Sequence, residues 1–298
     1  MSTLVLDTPA DVPAHGGPNR RRRKGERLAW GSPTTYFVAL VVVALTLAPV
    51  VYIVLGGFRD NSQITVRPAG LPSPWRLSNY GDVLSSSTFW TEFVNSTIVA
   101  AATTVLVAGF GISASYVLAR YRFRGRGAMF ALFASGLMFP ITVAITPLFL
   151  LLKDLGLLDS RLGVILPQVG FALPTTIIIL VPFLKAIPQE IEEAAAVDGC
   201  SRLSFFARMV LPLSLPGLLT TGILTFVASW NSYMLPLFVL ADPGNFTLPL
   251  GVQQFSSQYS QDTAKVLAFT SLSMLPALLF FTLFERRIVG GLQGAVKG

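Results

Sequence analysis

Residues that carry chemistry are scarce in this chain. Its 298 residues include one histidine, His15, and one cysteine, Cys200, so the sequence offers neither a Cys/His zinc site nor an intrachain disulfide. No G-x-x-x-x-G-K-[ST] phosphate loop occurs. The carboxylates an enzyme would need, Glu92 and Asp242, are isolated, and the expectation is that the chain is not an enzyme. Charge is short as well: 12% of residues are charged, about half of what a water-facing domain carries. Water is therefore not the solvent for most of the chain.

In place of charge there are 52% apolar residues, gathered into runs. About 20 helical residues match the roughly 30 Å hydrocarbon core of a bilayer. Six stretches approach that length: Thr34 to Gly56, Phe93 to Ala119, Ala128 to Leu152, Leu162 to Leu184, Leu218 to Leu240 and Val266 to Phe284. The expected fold class is all-α, a polytopic protein of a cell membrane with six spans over 34–284. A disordered basic tail is expected over 1–33 and a second tail over 285–298. The first stretch is too long for a signal-peptide apolar region and no convincing cleavage site follows it, so it is read as a lasting helix.

Basic residues orient these spans. With both ends cytoplasmic, sixteen Lys and Arg fall on that side, among them Arg20 to Arg23, Lys24, Arg120, Arg122, Arg124, Arg126, Lys185, Arg202 and Arg208. Six fall outside: Arg59, Arg67, Arg76, Lys153, Arg161 and Lys265. Cytoplasmic loops are the ones enriched in Lys and Arg. Beside a membrane helix the basic tail reads as a topology determinant that touches the anionic lipid of the bilayer, and no nucleic-acid partner is expected.

Inside the spans the polar residues are neutral, which counts against a buried carboxylate relay. Hydroxyls and amides such as Thr103, Gln168, Thr176, Thr221, Thr225 and Ser229 suit a neutral polyhydroxylated solute, or serve as glue between helices. The pathway candidates are Asn95, Trp230, Asn231 and Tyr233, a group that combines an aromatic face with hydrogen-bonding groups. Pro140, Pro147, Pro167, Pro174, Pro182, Pro236 and Pro276 are expected to bend their helices. The connection from Phe58 to Glu92, with Trp75, Tyr80, Phe89 and Trp90, reads either as a folded cap at the headgroup level or as a plain surface loop.

The segment 185–216 differs from everything around it. Gln189 to Val197 is rich in Glu and Ala and should be helical, with Ile187, Ile191, Ala194 and Ala195 on one side. Gly199 breaks that helix, and a second resumes near Ser201, carries Phe205 and Phe206, and ends into the Pro212 and Pro216 region. Physics alone supports an amphipathic hairpin lying on the membrane surface.

The order Glu193, Ala194, Ala195, three residues, Gly199, nine residues, Met209, Val210, Leu211, Pro212 resembles the EAA loop of permease subunits of ATP-binding-cassette importers, with Met209 where the family usually has Ile. The Asp198–Gly199 pair, the Trp230–Asn231 pair, Leu248–Pro249 and the end Gly294 to Gly298 are similar to the carbohydrate branch, the maltose and oligosaccharide group. The resemblance implies a six-helix type I importer core and a permease for a di- or oligosaccharide; the alternative is glycerol phosphate or another polyol. It also implies a second, non-identical permease, two nucleotide-binding ATPase subunits and an extracellular solute-binding protein as partners. No cofactor is expected on this chain, ATP and Mg²⁺ belonging to the ATPase subunit. Glu192, Glu193, Ala194, Ala195, Asp198 and Gly199 are then the residues that couple to the ATPase. Gly251, Val252, Gln253 and Gln254 lie in the loop that would meet the binding protein.

Overall fold

In a bilayer the backbone must pair its polar groups within the chain, which a helix does. The computed structural model of this chain describes residues 33–255 and 261–296, with side chains through Phe284, and every regular element among these residues is helical. The basic tail over 1–32, the side chains of Arg286 and Arg287, and Lys297 lie outside the described residues.

The chain divides into two units, Met1–Ala48 and Pro49–Gly298. Helix α1 (Pro33–Gly56) supplies all that is described of the first and runs into the second. There follow α2 (Asn61–Val66), α3 (Ser78–Ser85), α4 (Ser87–Arg120), α5 (Arg126–Gly136), α6 (Ile141–Asp154) and α7 (Arg161–Lys185). Next come α8 (Gln189–Val197), α9 (Arg202–Phe205), a π turn (Phe206–Val210), α10 (Leu211–Trp230), α11 (Met234–Val239), α12 (Leu248–Gly251) and α13 (Thr263–Val296). Among the described residues five helical runs are long and apolar enough to cross a membrane: α1, α4, α7, Arg202–Trp230 and Thr263–Phe284. The pair α5 and α6 makes a sixth if it counts as one span.

That pair refines the sequence reading, which expected one span from Ala128 to Leu152 bent by Pro140 and Pro147. The axis turns by 99° between α5 and α6. Pro140, extended at φ −73° and ψ 133°, lacks an N–H and disfavours the helical region for Phe139, so the helix stops after Gly136 and restarts in a new direction. The expected fifth span, Leu218 to Leu240, is also broken. Its helix ends at Trp230, and α11 follows after a turn at Asn231–Tyr233. By contrast α7 stays one helix of 25 residues in spite of Pro167, Pro174 and Pro182.

The second unit is built on α4 against α7. Val99 and Val107 meet Val164, Ile165 and Val169, with Leu152 and Leu235 filling the same core. On the other side Ala100, Trp230, Ala268 and Phe269 bring α4, α10 and α13 together. The connection after α1 is folded: Phe58 lies against Trp75 and Tyr80 at ring distances of 5.3 and 4.4 Å. Arg59, 2% exposed, donates to the carbonyls of Pro68, Gln63 and Arg67 and so closes the α2 turn.

Candidate functional site

The hairpin between α7 and α10 starts at Pro188, which precedes α8, and Glu190 and Glu192 in the first turn match the positive end of the helix. The helix ends where Gly199 adopts φ +74°, a left-handed turn that a side chain resists. The amide of Cys200 then donates to Ala195 O at 2.9 Å, and the Ser201 hydroxyl caps the next helix by accepting from Ser204 N at 3.3 Å. From there α9, the π turn and α10 run on without a break. This corrects the expectation that the second hairpin helix ends in the Pro212 region. The amide of Leu211 reaches back to Phe206 O, five residues away. Such a widened turn next to Pro212, which has no N–H of its own, is typical of π turns at working positions.

The inner face of the hairpin is apolar and buried: Ile187, Ala195, Phe205 and Val210 pack on Ile112, Tyr116, Leu180 and Leu184. Ala194, expected on that face, is exposed, together with Glu193, Asp198 and Gly199; Glu192 is half-buried. Two residues the sequence reading missed, Val197 and Leu203, flank Gly199 and are 88% and 77% exposed. The signal for them was available, since each is an apolar residue beside a turn glycine on a helix whose inner face was already filled.

A cavity of about 420 Å³ lies among α4, α7 and α10. Its polar lining includes Thr103, Gln168, Thr176, Thr225, Ser229 and Ser232, Phe171 offers a ring, and no charged residue lines it. Gln168 bridges three helices: its Oε1 accepts from the hydroxyls of Thr103 at 3.3 Å and Ser229 at 2.5 Å, while its amide nitrogen is buried without a partner. This arrangement hydrogen-bonds neutral hydroxyl groups and offers nothing to balance a charge.

The four pathway candidates are not brought together in the cavity. Trp230 is buried, donates from its indole to Ser273 O at 3.1 Å and stacks on Phe226. Asn95 is buried, accepts from Arg161 at 2.8 Å and donates to the carbonyls of Gly244 and Phe246 at 2.9 Å. Asn231 caps α10 and is exposed. Tyr233, 39% exposed, accepts at its hydroxyl from Gln253 at 3.1 Å, which joins a pathway candidate to the loop candidates. That loop folds back on the body. Gly251 is buried against the Glu92 carboxylate, where a Cβ would collide with it, Gln254 approaches Glu92 at 3.4 Å, and Val252 packs on the α4–α13 core. At the same end Asp159 accepts from the amides of Ala241 and Asp242, each at 3.0 Å, and from Asn245 at 3.2 Å. The Asp242 amide, then that of Ala241, holds its carboxyl below the usual carboxylate range.

Residues 107–289 match the model of the family described as binding-protein-dependent transport system inner membrane component. The chain is 33% identical over 85% of its length to the diacetylchitobiose uptake system permease protein NgcG of Streptomyces coelicolor, covering 85% of that protein. It is 35% identical over 89% of its length to the trehalose transport system permease protein SugB of Mycobacterium tuberculosis, covering 98% of it. Among solved structures, a chain of a bacterial ABC transporter that imports the acidic polysaccharide alginate matches with a TM-score of 0.70 at 23% identity, over 85% of this chain and 94% of that one. That likeness concerns the fold.

Proposed function

The chain belongs to the binding-protein-dependent transport system inner membrane component family, and on that premise we propose that it is a permease subunit of an ATP-driven importer for a di- or oligosaccharide. One observation carries the reading. The uncharged, hydroxyl-lined cavity is built on α7 and α10, the two helices that the Gly199 hairpin connects. A tilt of the hairpin therefore passes into the cavity wall through the unbroken α9–α10 run, which is what coupling through a rigid two-state element needs. A phosphorylated polyol fits less well, because no cation lines the cavity to meet its charge.

In this reading the exposed face of the hairpin, with Glu193, Asp198 and Gly199, docks on a partner ATPase subunit that holds ATP and Mg²⁺. A second, non-identical permease completes the pathway, and an extracellular binding protein delivers the sugar to the Gly251–Gln254 side. Both ends of the chain face the cytoplasm, as the distribution of basic residues favours. The test is sugar uptake into proteoliposomes. ATP-dependent uptake by the complete complex, and no counterflow by this chain alone, is the expected result; robust counterflow by the chain alone makes it an independent carrier and overturns the reading.

A further inference from the structure

A second cavity, of about 790 Å³, opens where α4 and α7 end and α5 and α8 begin. Its wall carries four cations, Arg120, Arg122, Arg126 and Lys185, against two carboxylates, Glu192 and Glu193. Those carboxylates do not balance it. Glu193 accepts from the Gln189 amide at 3.1 Å, and Glu192 lies 4.0 Å from Arg120.

Arg120 is the built part of the site. Its side chain is 9% exposed and donates to Ile187 O at 2.7 Å, and its Nε is buried with no partner. Among the described residues Arg126 reaches only the carbonyl of Ala119, at 3.4 Å. Arg122 and Lys185 make no ion pair among the described residues. The first turns of α5 and α8 have no side-chain cap. On the topology proposed above, a cavity with excess positive charge at the ends of two apolar spans falls near the headgroups on the side rich in Lys and Arg, where phosphate esters are concentrated.

We propose that this cavity binds a phosphate-type anion, held by Arg120, Arg122, Arg126 and Lys185 at the root of the α8 hairpin. Two sources share that chemistry, the headgroup of an anionic phospholipid and free phosphate. The bound group would lie against Arg120, which also holds Ile187 and faces Glu192, so its presence bears on the position of α8.

The experiment uses the complete importer with the wild-type chain, with the pair Arg122→Gln and Lys185→Gln, and with the charge-keeping pair Arg122→Lys and Lys185→Arg. Each is placed in nanodiscs of phosphatidylcholine with or without phosphatidylglycerol, and the lipid retained on extraction is read by native mass spectrometry. Wild type should retain phosphatidylglycerol selectively. The neutral pair should lose affinity by about fivefold for each basic side chain removed, and the charge-keeping pair should retain it. A parallel titration of inorganic phosphate against the thermal midpoint in phosphatidylcholine alone separates the sources: a shift in wild type that the neutral pair lacks assigns the site to free phosphate. Equal lipid retention and equal phosphate response in wild type and the neutral pair overturn the proposal. So does loss of ATPase-subunit co-purification in the neutral pair with lipid retention and phosphate response unchanged, which would make the cavity a seat for protein.

Discussion

Two single residues carry conformational demands that mutation can isolate. At Gly199 a Cβ would meet nothing within 4 Å, so the cost of a side chain there lies in its φ of +74° and not in a clash. An L-residue held in the left-handed region costs about 1–2 kcal/mol, a β-branched one more, and asparagine least. Gly199→Val should therefore reduce co-purification of the ATPase subunit and abolish uptake at matched membrane expression, while Gly199→Asn keeps most of both. If valine and asparagine behave alike, the left-handed turn is not what the site requires. Asp159 makes a different demand. Its folded carboxyl is held below the ordinary value by the amides of Asp242 and Ala241. The stability it adds is then fully present above the unfolded pKa, about 3.9, and is lost as pH falls through the lower folded value. The thermal midpoint of wild type should drop more steeply below about pH 4 than that of Asp159→Asn; parallel profiles would show that the two amides do not depend on the charge.

Among the elements, those bracketed by strong local signals were legible and those decided by tertiary direction were not. α8 spans Gln189–Val197, as its sequence implies, because Pro188 starts it and Gly199 stops it. A bend at Pro140 was legible but its size was not, since α7 keeps its path through three prolines and hydropathy records no direction. Trp230 read as a sugar platform by composition; only the fold shows its indole bound to Ser273 O inside the α4–α10–α13 core. The cavity-lining hydroxyls were all in view, yet nothing local told which of them border a cavity; Gln168, Thr103 and Ser229 join three helices and line the cavity as well. The α12 segment supports a prediction of its own. Gly251 abuts the carboxylate end of Glu92, which is 1% exposed, so Gly251→Ala must displace either that carboxylate or α12, and displacement of α12 from α4 is the expected outcome. Overpacking of this kind costs about 1–3 kcal/mol. The thermal midpoint should fall, and ATPase stimulation by loaded binding protein should fall with it; a normal midpoint would mean that the Glu92 side chain simply moves aside.

For the whole molecule the open geometric question is whether α5 and α6, turned by 99°, cross the membrane as one span or return to the side they left. Parity decides it. Between Ser73 and Ala241 the chain passes through α4, the bent pair, α7 and the Arg202–Trp230 run. If the pair crosses, these are four crossings and the two positions share a side; if it turns back, there are three and they lie on opposite sides. The sixteen to six division of Lys and Arg assumes a crossing, since Lys153 and Arg161 are counted outside and Lys185 inside. Ser73, Ala241 and Arg124 are all exposed, which makes each a usable position once Cys200 is replaced by Ala. Arg124 is preferred to its neighbour Gly125, whose φ of +91° would strain a cysteine. In intact cells an impermeant maleimide should label Cys at Ser73 and at Ala241 and leave Cys at Arg124 unreacted until the membrane is opened. Labelling at Ser73 without labelling at Ala241 would make α5–α6 a re-entrant pair, and α7 and the Arg202–Trp230 run would reverse direction across the bilayer. The Gly199 hairpin would then face outward, out of reach of a cytoplasmic ATPase, so this one comparison bears on the fold and on the proposed coupling together.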